Sequence, residues 1–190
     1  MISKTVKLTG TSPLLMHSTT SIDTTHPLSR DLKRIQPKNS PRKTVEARPE
    51  MRRLRFVMGM YFDDQIGPYL PGEMLQACIR DGGKANRLGS EVTRSVLVVE
   101  DKAPLIYTGP RDLKSLWAKG FSDTRSVKVG QARVLRTRPY FAQWAVEFTV
   151  SLDEEHLDPH LLKGCIENAG LRVGLGDYRP RFGRFTAEVK

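Results

Sequence analysis

The residues best suited to chemistry in this sequence lie together near its C-terminal end. The stretch GLGDYRPRFGRF, residues 174–185, combines three glycines, three arginines and three aromatic residues. Glycines adopt positive φ and let a ligand approach the backbone, and their amides can form an anion-binding concavity. Arginines donate forked hydrogen bonds to phosphates, and aromatic rings stack on bases.

The stretch therefore predicts either a turn that grips phosphates or a helix-to-strand connection whose arginines are solvated. A short glycine pattern alone does not separate the two. The candidate nucleic-acid contacts in it are Gly174, Gly176, Tyr178, Arg179, Arg181 and Arg184, with Phe182 and Phe185 as further stacking candidates.

A second concentration of basic residues lies upstream. Residues 30–55 include ten basic and three acidic residues, a local net charge of +7. The surrounding region, about 18–62, contains four prolines and few large apolar side chains, which predicts a long extended insertion that does not pack by itself. The predicted phosphate contacts in this insertion are Arg42, Lys43, Arg52, Arg53 and Arg55, with Arg80 and Lys84 on the following helix as weaker candidates.

The whole chain is basic, with a net charge of +10 over 190 residues and a pI near 9.9. Such a balance favours a polyanion as partner, with an anionic membrane surface as the rival. No run reaches the roughly 18 apolar residues of a spanning helix and no signal peptide is visible, which predicts a cytoplasmic protein that does not enter membranes. Cys78 and Cys165 lack metal-ligand spacing with the histidines, so buried thiols are expected and no metal or cofactor is predicted.

Hydrophobic periodicity predicts strands and helices in alternation. Strands are expected at 2–10, 54–62 and 92–100, in two runs broken near Pro139 into a hairpin, and at the C-terminus. One helix follows Pro71, a short helix lies within RDLKSLWAKG, and a third runs from an Asp158 N-cap to about residue 170. The helical segments LQACIRDGG (75–83) and LKGCIENAG (162–170) share leucine, cysteine, isoleucine and glycine positions.

The order is β-α-β followed by β-α-β, which predicts an α+β, ferredoxin-like or RNA-recognition-type split sheet. The shared helical spacing has two explanations, a repeated βαβ half or the ordinary spacing of any two amphipathic helices. We expect one domain, 1–190, with the basic insertion at about 18–62 and a smaller insertion at about 101–130.

Three segments make the sequence resemble the RAMP superfamily, the RNA-recognition-fold subunits of CRISPR effector complexes. LTGTSPLLMHS resembles the family's opening strand and loop, PYLPGEMLQACIR its proline-glycine helix start, and GLGDYRPRFGRF its C-terminal glycine-rich loop. Together they cover about a fifth of the chain, and the basic insertion is similar to the thumb-like insertions of backbone subunits.

The resemblance implies a compact, divergent backbone subunit that binds single-stranded guide RNA, and possibly its paired target strand, without sequence specificity. It also implies contacts with further copies and with other subunits of the effector complex. The affinity for RNA is expected to fall steeply with salt concentration, since each neutralised phosphate releases a counterion.

Two alternatives remain open at this point. Some RAMP relatives cut RNA, so His17 is a candidate general base, although an RNA contact is the favoured role; the candidate aspartates are Asp23, Asp31, Asp63 and Asp64. The second alternative is a phage-type protein that binds or anneals single-stranded DNA. The aromatic and basic residues of 133–144, among them Arg133, Arg136, Arg138 and Tyr140, suit either RNA stacking or an ordinary sheet with one wet face.

Overall fold

The computed structural model describes residues 1–21, 23–35 and 49–190 and has an α+β fold with mostly antiparallel strand pairs. Its strands are β1 (Ile2–Gly10), β2 (Leu14–Leu15), β3 (Phe62–Asp63), β4 (Gly67–Pro71), β5 (Val96–Val98), β6 (Lys102–Ile106), β7 (Ser122–Val129), β8 (Ala132–Phe141), β9 (Ala145–Leu152) and β10 (Phe185–Val189). Its helices are α1 (Pro27–Ile35), α2 (Pro49–Gly59), α3 (Gly72–Gly83), α4 (Gly89–Ser95), α5 (Leu113–Ala118) and α6 (Pro159–Asn168). A π-helical turn, Ala169–Val173, continues α6.

The chain divides into two compact units. Unit 1 comprises Met1–Leu14, Phe62–Thr108 and Phe141–Lys190, and unit 2 comprises Leu15–Tyr61 and Gly109–Tyr140. The two segments that the sequence predicts as insertions, about 18–62 and 101–130, belong largely to unit 2.

Unit 1 is built on a sheet whose strand order is β10-β1-β9-β6-β4-β3, with β5 also paired to β9. The neighbours of β1 are both antiparallel to it, with Leu8 opposite Ala187 on one side and Val146 on the other. Alternate residues of β1 and β9, such as Val6, Leu8 and Phe148, are buried. The alternation in the sequence thus becomes one apolar face covered by helices and one polar face.

Helices α3 and α6 pack against each other in unit 1. The apolar positions that the two helical segments share are the buried ones: Leu75, Cys78 and Ile79 on α3, and Leu162, Cys165 and Ile166 on α6. A Cβ at Gly82 would lie 2.3 Å from the carbonyl oxygen of Cys165, so the backbones approach closely at this point. The N-cap prediction for α6 is confirmed, because Asp158 Oδ1 accepts a hydrogen bond of 2.7 Å from the His160 amide.

Unit 2 contains α1, α2 and α5 and most of a three-stranded sheet in the order β2-β8-β7. Phe56 on α2 packs against Trp117 on α5, with ring centroids 5.4 Å apart. Met51 and Leu116 are fully buried in the same unit. The prediction that the insertion is extended and does not pack by itself is therefore wrong, since its described residues form helices with a buried core.

The structure corrects three sequence predictions of strands. Residues 54–62 were predicted as a strand, but α2 runs to Gly59, since Pro49 and Glu50 begin a helix that the apolar run continues. Residues 92–95 of the predicted strand 92–100 belong to α4, and the strand itself is limited to Val96–Val98. The hairpin predicted near Pro139 is wrong: β8 continues through Pro139 to Phe141 and pairs with β7 across a turn at residues 130–131, whereas β9 belongs to the other sheet.

Within the described ranges, no helix is both long and apolar enough to cross a bilayer.

Candidate nucleic-acid interface

The glycine–arginine loop, defined here as residues 174–184, connects the π-helical turn to β10. The turn ends at Gly174, whose amide donates to the carbonyl oxygen of Ala169 at 2.8 Å and whose φ is +76°. A side chain at this φ is strained, so glycine is needed where the chain leaves the helix.

The glycines of the loop let its two ends approach each other. The Leu175 amide donates to the Gly183 carbonyl oxygen at 2.9 Å, and the Gly183 amide donates to Pro13 at 2.8 Å. A Cβ at Gly183 would lie 1.8 Å from the Leu175 carbonyl oxygen, and one at Gly174 would lie 2.8 Å from the Phe182 carbonyl oxygen. The loop is thus a closed backbone structure.

This closure corrects the expectation that the amide of Gly174 helps to hold an anion. Its N–H group already donates within the chain, as does that of Leu175. Gly176 has a φ of +74°. The amides of Gly174 and Leu175 are therefore not available to an anion.

Only one of the three aromatic residues of the stretch presents its ring to solvent. Phe182 and Phe185 are buried, with 7% and 5% of their surface exposed, whereas Tyr178 is 43% exposed. The Tyr178 ring packs edge-on against Phe182 at 6.1 Å between centroids. Stacking on a base is therefore open to Tyr178, while Phe182 and Phe185 belong to the core.

The arginines of the loop are all exposed. Arg184 folds back on the loop, with Nε donating to the Pro180 carbonyl oxygen at 2.8 Å, and its amide donates to Ser12 Oγ at 2.9 Å. Arg179 and Arg181 flank Pro180 at the tip. Two guanidinium groups and one aromatic ring thus lie on a loop whose backbone is fixed at its base.

The loop also contacts the other two segments on which the family resemblance depends. Residues 11–13, after β1, bind Gly183 and Arg184 through the hydrogen bonds of Pro13 and Ser12, and the Thr11 amide donates to Arg184 at 2.8 Å. From α3, Cys78 Sγ donates to the Gly174 carbonyl oxygen at 3.4 Å. Burial raises the pKa of the Cys78 thiol to about 12, so this cysteine is a packing residue and not a nucleophile.

The exposed face of the unit 1 sheet is poorly suited to phosphate. Lys7 on β1 has Glu188 of β10 opposite it on one side and Glu147 of β9 on the other, and both glutamates are exposed. A phosphate at Lys7 would meet two carboxylates, so we assign phosphate contacts in unit 1 to the loop.

Of the remaining predicted contacts, Arg80 and Lys84 lie on and directly after α3 in unit 1, where both form ion pairs with Asp81. The others belong to unit 2. Arg52, Arg53 and Arg55 lie on α2, where Arg53 is exposed and the other two are half-buried. Arg52 and Arg55 are three residues apart and share one side of the helix. Arg42 and Lys43 lie outside the described residues.

His17 is exposed, and its Nε2 lies 3.0 Å from Ser21 Oγ. Its carbonyl oxygen accepts a hydrogen bond of 3.3 Å from the Tyr61 hydroxyl. The His17 ring thus contacts a serine four residues further along the chain.

Three of the candidate aspartates lie at turns, whereas Asp31 lies on α1, with one carboxylate oxygen 3.7 Å from Arg34. Asp63 accepts from Lys102 Nζ at 2.6 Å and from the Gln65 amide at 2.9 Å. These two bonds hold the pKa of Asp63 below its usual range, the Lys102 bond having the larger effect. Asp23 caps a turn through Thr25, whose hydroxyl bond is the main cause of the lowered pKa of Asp23, and Asp64 is exposed beside Asp63. Over residues 1–21, 23–35 and 49–190, no three His, Cys, Asp or Glu side chains are grouped as a metal site would require.

The sequence pattern missed a basic hairpin in unit 2, formed by β7 and β8. Arg125 lies opposite Arg136, and Lys128 lies opposite Arg133. Arg125 is paired with Asp123 of its own strand through two guanidinium nitrogens. Like charges directly opposite each other on a sheet are unfavourable, so a polyanion would mainly relieve the pair of Lys128 and Arg133. The sequence feature that indicates this hairpin is Gly130, which lies between two segments with alternating basic residues. Gly130 has a φ of +60° in the two-residue turn.

No protein-family model matches the chain, and no curated protein matches it.

Proposed function

We propose that this protein binds single-stranded RNA without sequence specificity, as an oligomerising subunit of a CRISPR-type ribonucleoprotein with a ferredoxin-like core. The observation that carries the proposal is the glycine–arginine loop, whose tip presents Arg179, Arg181 and Tyr178 on a backbone fixed by Gly174 and Gly183. A fixed loop with forked donors and one stacking ring suits a sugar-phosphate chain with unpaired bases.

The strand order of unit 1 supports the ferredoxin-like part. Reading β1, α3, the β5/β6 pair, β9, α6 and β10 as β-α-β-β-α-β gives the spatial order fourth, first, third, second, with antiparallel neighbours. This order is expected of a split βαβ sheet. Unit 2 is inserted in two pieces, between β1 and β3 and between β6 and β9.

The charge distribution supports a polyanionic partner. The net charge is +10, and exposed arginines occur on the loop, on α2 and on the hairpin. Contacts of this kind recognise phosphates and ring faces, which occur in every sequence, so the binding is expected to be insensitive to base identity.

The contacts that the loop makes support the relationship to the RAMP superfamily. The three segments that resemble the family lie far apart in the sequence, and they meet at Ser12, Pro13, Cys78 and the loop. A chance likeness of three separate segments has no reason to bring them into contact.

The test is fluorescence anisotropy with a labelled RNA oligonucleotide and a DNA of the same sequence, over a range of salt concentrations. We expect RNA to bind more tightly than DNA and to be recovered intact. The double variant Arg179→Ala/Arg181→Ala should bind RNA less tightly and lower the slope of log K against log salt by about 1.4, since each single-strand phosphate contact contributes roughly 0.7.

The matched control is Arg94→Ala, which removes an exposed arginine on α4 of the same unit. Equal losses in the control and the double variant would refute the role of the loop. Tighter binding of DNA would favour a single-strand DNA-binding protein, and cleaved RNA would favour the nuclease.

A further inference from the structure

Strand β10 ends the unit 1 sheet, and one of its edges is unpaired among the described strands. Lys190 and Thr5 exchange both backbone hydrogen bonds, at 2.9 and 3.1 Å. In an antiparallel ladder, residues two apart repeat this arrangement, so Thr186 and Glu188 also point their backbone groups toward β1. The amide and carbonyl groups of Ala187 and Val189 consequently point away from the sheet.

A groove of about 450 Å³ runs beside this edge, lined by Thr11, Glu167, Gly170, Leu171 and residues 184–187. Leu171 is 61% exposed. The carbonyl oxygen of Phe185 is packed on Gly170, where a Cβ would lie 2.2 Å away. The groove thus offers a backbone edge and an apolar wall, which are the features that an added strand uses.

The polar face of the sheet shows which side chain an added strand would present. Glu147, Lys7 and Glu188 form a cross-strand row with alternating charge. Opposite charges facing each other across strands are favourable. The next strand would therefore carry a basic residue opposite Glu188.

Strand β7 is the complementary end strand in the described part of unit 2, where it closes the order β2-β8-β7. The Tyr140 amide donates to the Phe121 carbonyl oxygen at 2.9 Å, so the odd-numbered residues of β7 point their backbone groups toward β8. The backbone groups of Thr124, Ser126 and Lys128 point outward.

We propose that β10 of one copy pairs antiparallel with β7 of a second copy, with Ala187 opposite Ser126. This inference rests on the oligomerising role in the proposed function and names the surface that performs it. In this register Glu188 lies opposite Arg125, and Lys190 lies opposite Asp123. The charge row becomes Glu147, Lys7, Glu188, Arg125, and Lys190 faces Asp123, which pairs with Arg125 within β7.

Charge excludes the neighbouring registers of the same pair. A shift that sets Ala187 opposite Thr124 places Glu188 opposite Asp123. A shift that sets Ala187 opposite Lys128 places Lys190 opposite Arg125. Both oppose like charges, and intermediate shifts would set inward-pointing backbone groups against outward-pointing ones.

Charge disfavours two of the registers that would pair β10 with itself, and the third, Ala187 opposite Phe185, needs the Phe185 carbonyl oxygen that is packed on Gly170. Ala187 opposite the second copy's Ala187 would place Lys190 opposite Arg184, and Ala187 opposite Val189 would place Glu188 opposite Glu188. A contact between two different edges leaves β7 of the first copy and β10 of the second copy available for further copies, so it does not close as a symmetric dimer.

The test is disulfide trapping between two full-length variants that each gain one cysteine, Thr186→Cys and Val127→Cys. These positions are opposite in the proposed register and form a non-hydrogen-bonded pair, where side chains come closest. The native Cys78 and Cys165 are buried and serve as internal controls. Oxidation of the mixture, freed of nucleic acid, should give a dimer containing one copy of each variant, and mass spectrometry should find the bond between the two introduced cysteines.

Dimers linked through Thr186→Cys alone, or the absence of any linked species, would overturn the pairing. A second measurement uses charge reversal: Glu188→Arg and Arg125→Glu should each reduce self-association in sedimentation velocity, and mixing the two variants or combining them in one chain should restore it. A failure to restore would also overturn it. RNA binding by the loop is measured separately on a short oligonucleotide, so loss of this pairing and loss of the proposed function are distinguishable.

Discussion

At the scale of single residues, Gly183 has the strictest requirement in the glycine–arginine loop. It combines a φ of +74° with a space so small that a Cβ would lie 1.8 Å from the Leu175 carbonyl oxygen. Gly183→Ala should therefore lower the free energy of unfolding by at least about 2 kcal/mol, because strained backbone and displaced neighbours both contribute. Urea denaturation measures this change.

Gly164→Ala is the control for that substitution. Gly164 lies inside α6, and nothing stands within 4 Å of a Cβ built on it. Alanine is the better helix former by roughly 0.5–1 kcal/mol, so this variant should be more stable than the wild type. Equal destabilisation of the two variants would contradict the packing described for the loop.

Asp63 and Lys102 supply a prediction about pH. The Lys102 hydrogen bond is the main cause of the lowered pKa of Asp63, and the Gln65 amide adds to it. Because the folded pKa is depressed, the stabilisation is present above the ordinary value of 3.8 and is lost as pH falls through the lowered pKa. In Lys102→Met, NMR titration should show the pKa of Asp63 rising but remaining below its ordinary value, since the Gln65 bond persists; an unchanged pKa would contradict the assignment.

At the scale of elements, the sequence predicted the parts of unit 1 that surround the loop. Alternation identified β1 and β9, the Asp158 cap identified the start of α6, and the shared leucine, cysteine and isoleucine positions identified the buried faces of α3 and α6. These elements could be predicted because the local sequence preference of each one agrees with its place in the folded structure.

Unit 2 was harder to predict, for two physical reasons. The apolar run within 54–62 suits a strand or a buried helix, and only the Pro49 start, five residues earlier, separates them. Strand β7 has no apolar alternation, since Ser, Asp, Thr, Arg and Lys occupy most of its positions, so its pairing with β8 is set by the Gly130 turn.

In the loop, residue type predicted the exposed arginines but not the depth of the aromatic residues. Phe182, Phe185 and Tyr178 are all aromatic, so the sequence alone does not tell which of them is buried. Their exposure differs only in the folded loop, which is closed by the hydrogen bond between Gly183 and Pro13. The role of Gly174 and Gly183 likewise depends on which backbone atoms they approach, which no spacing reveals.

The basic hairpin supplies the prediction at this scale. Arg133→Glu places a carboxylate opposite Lys128 and should stabilise the RNA-free protein by about 0.5 kcal/mol, because it replaces a like-charge pair with an opposite one. The same variant should bind RNA less tightly. Arg133→Gln should fall between wild type and the glutamate variant in both thermal unfolding and anisotropy. A glutamate variant with unchanged RNA affinity would remove the hairpin from the interface.

For the whole molecule, the proposed function combines the arginine loop, the basic second unit and two complementary sheet edges. We propose that the loop binds RNA and that the pairing of β10 with β7 brings successive copies together. A protein of this kind covers RNA in proportion to its length, whereas a basic domain that binds phosphates alone has no reason to form ordered arrays.

The central claim is tested most directly by the masses of complexes formed on unstructured RNAs of increasing length, measured by mass photometry. The account predicts a stepwise increase in the number of bound copies with RNA length, and a loss of these complexes for Arg179→Ala/Arg181→Ala. A single bound copy at every length, or no complex on any RNA, would contradict it.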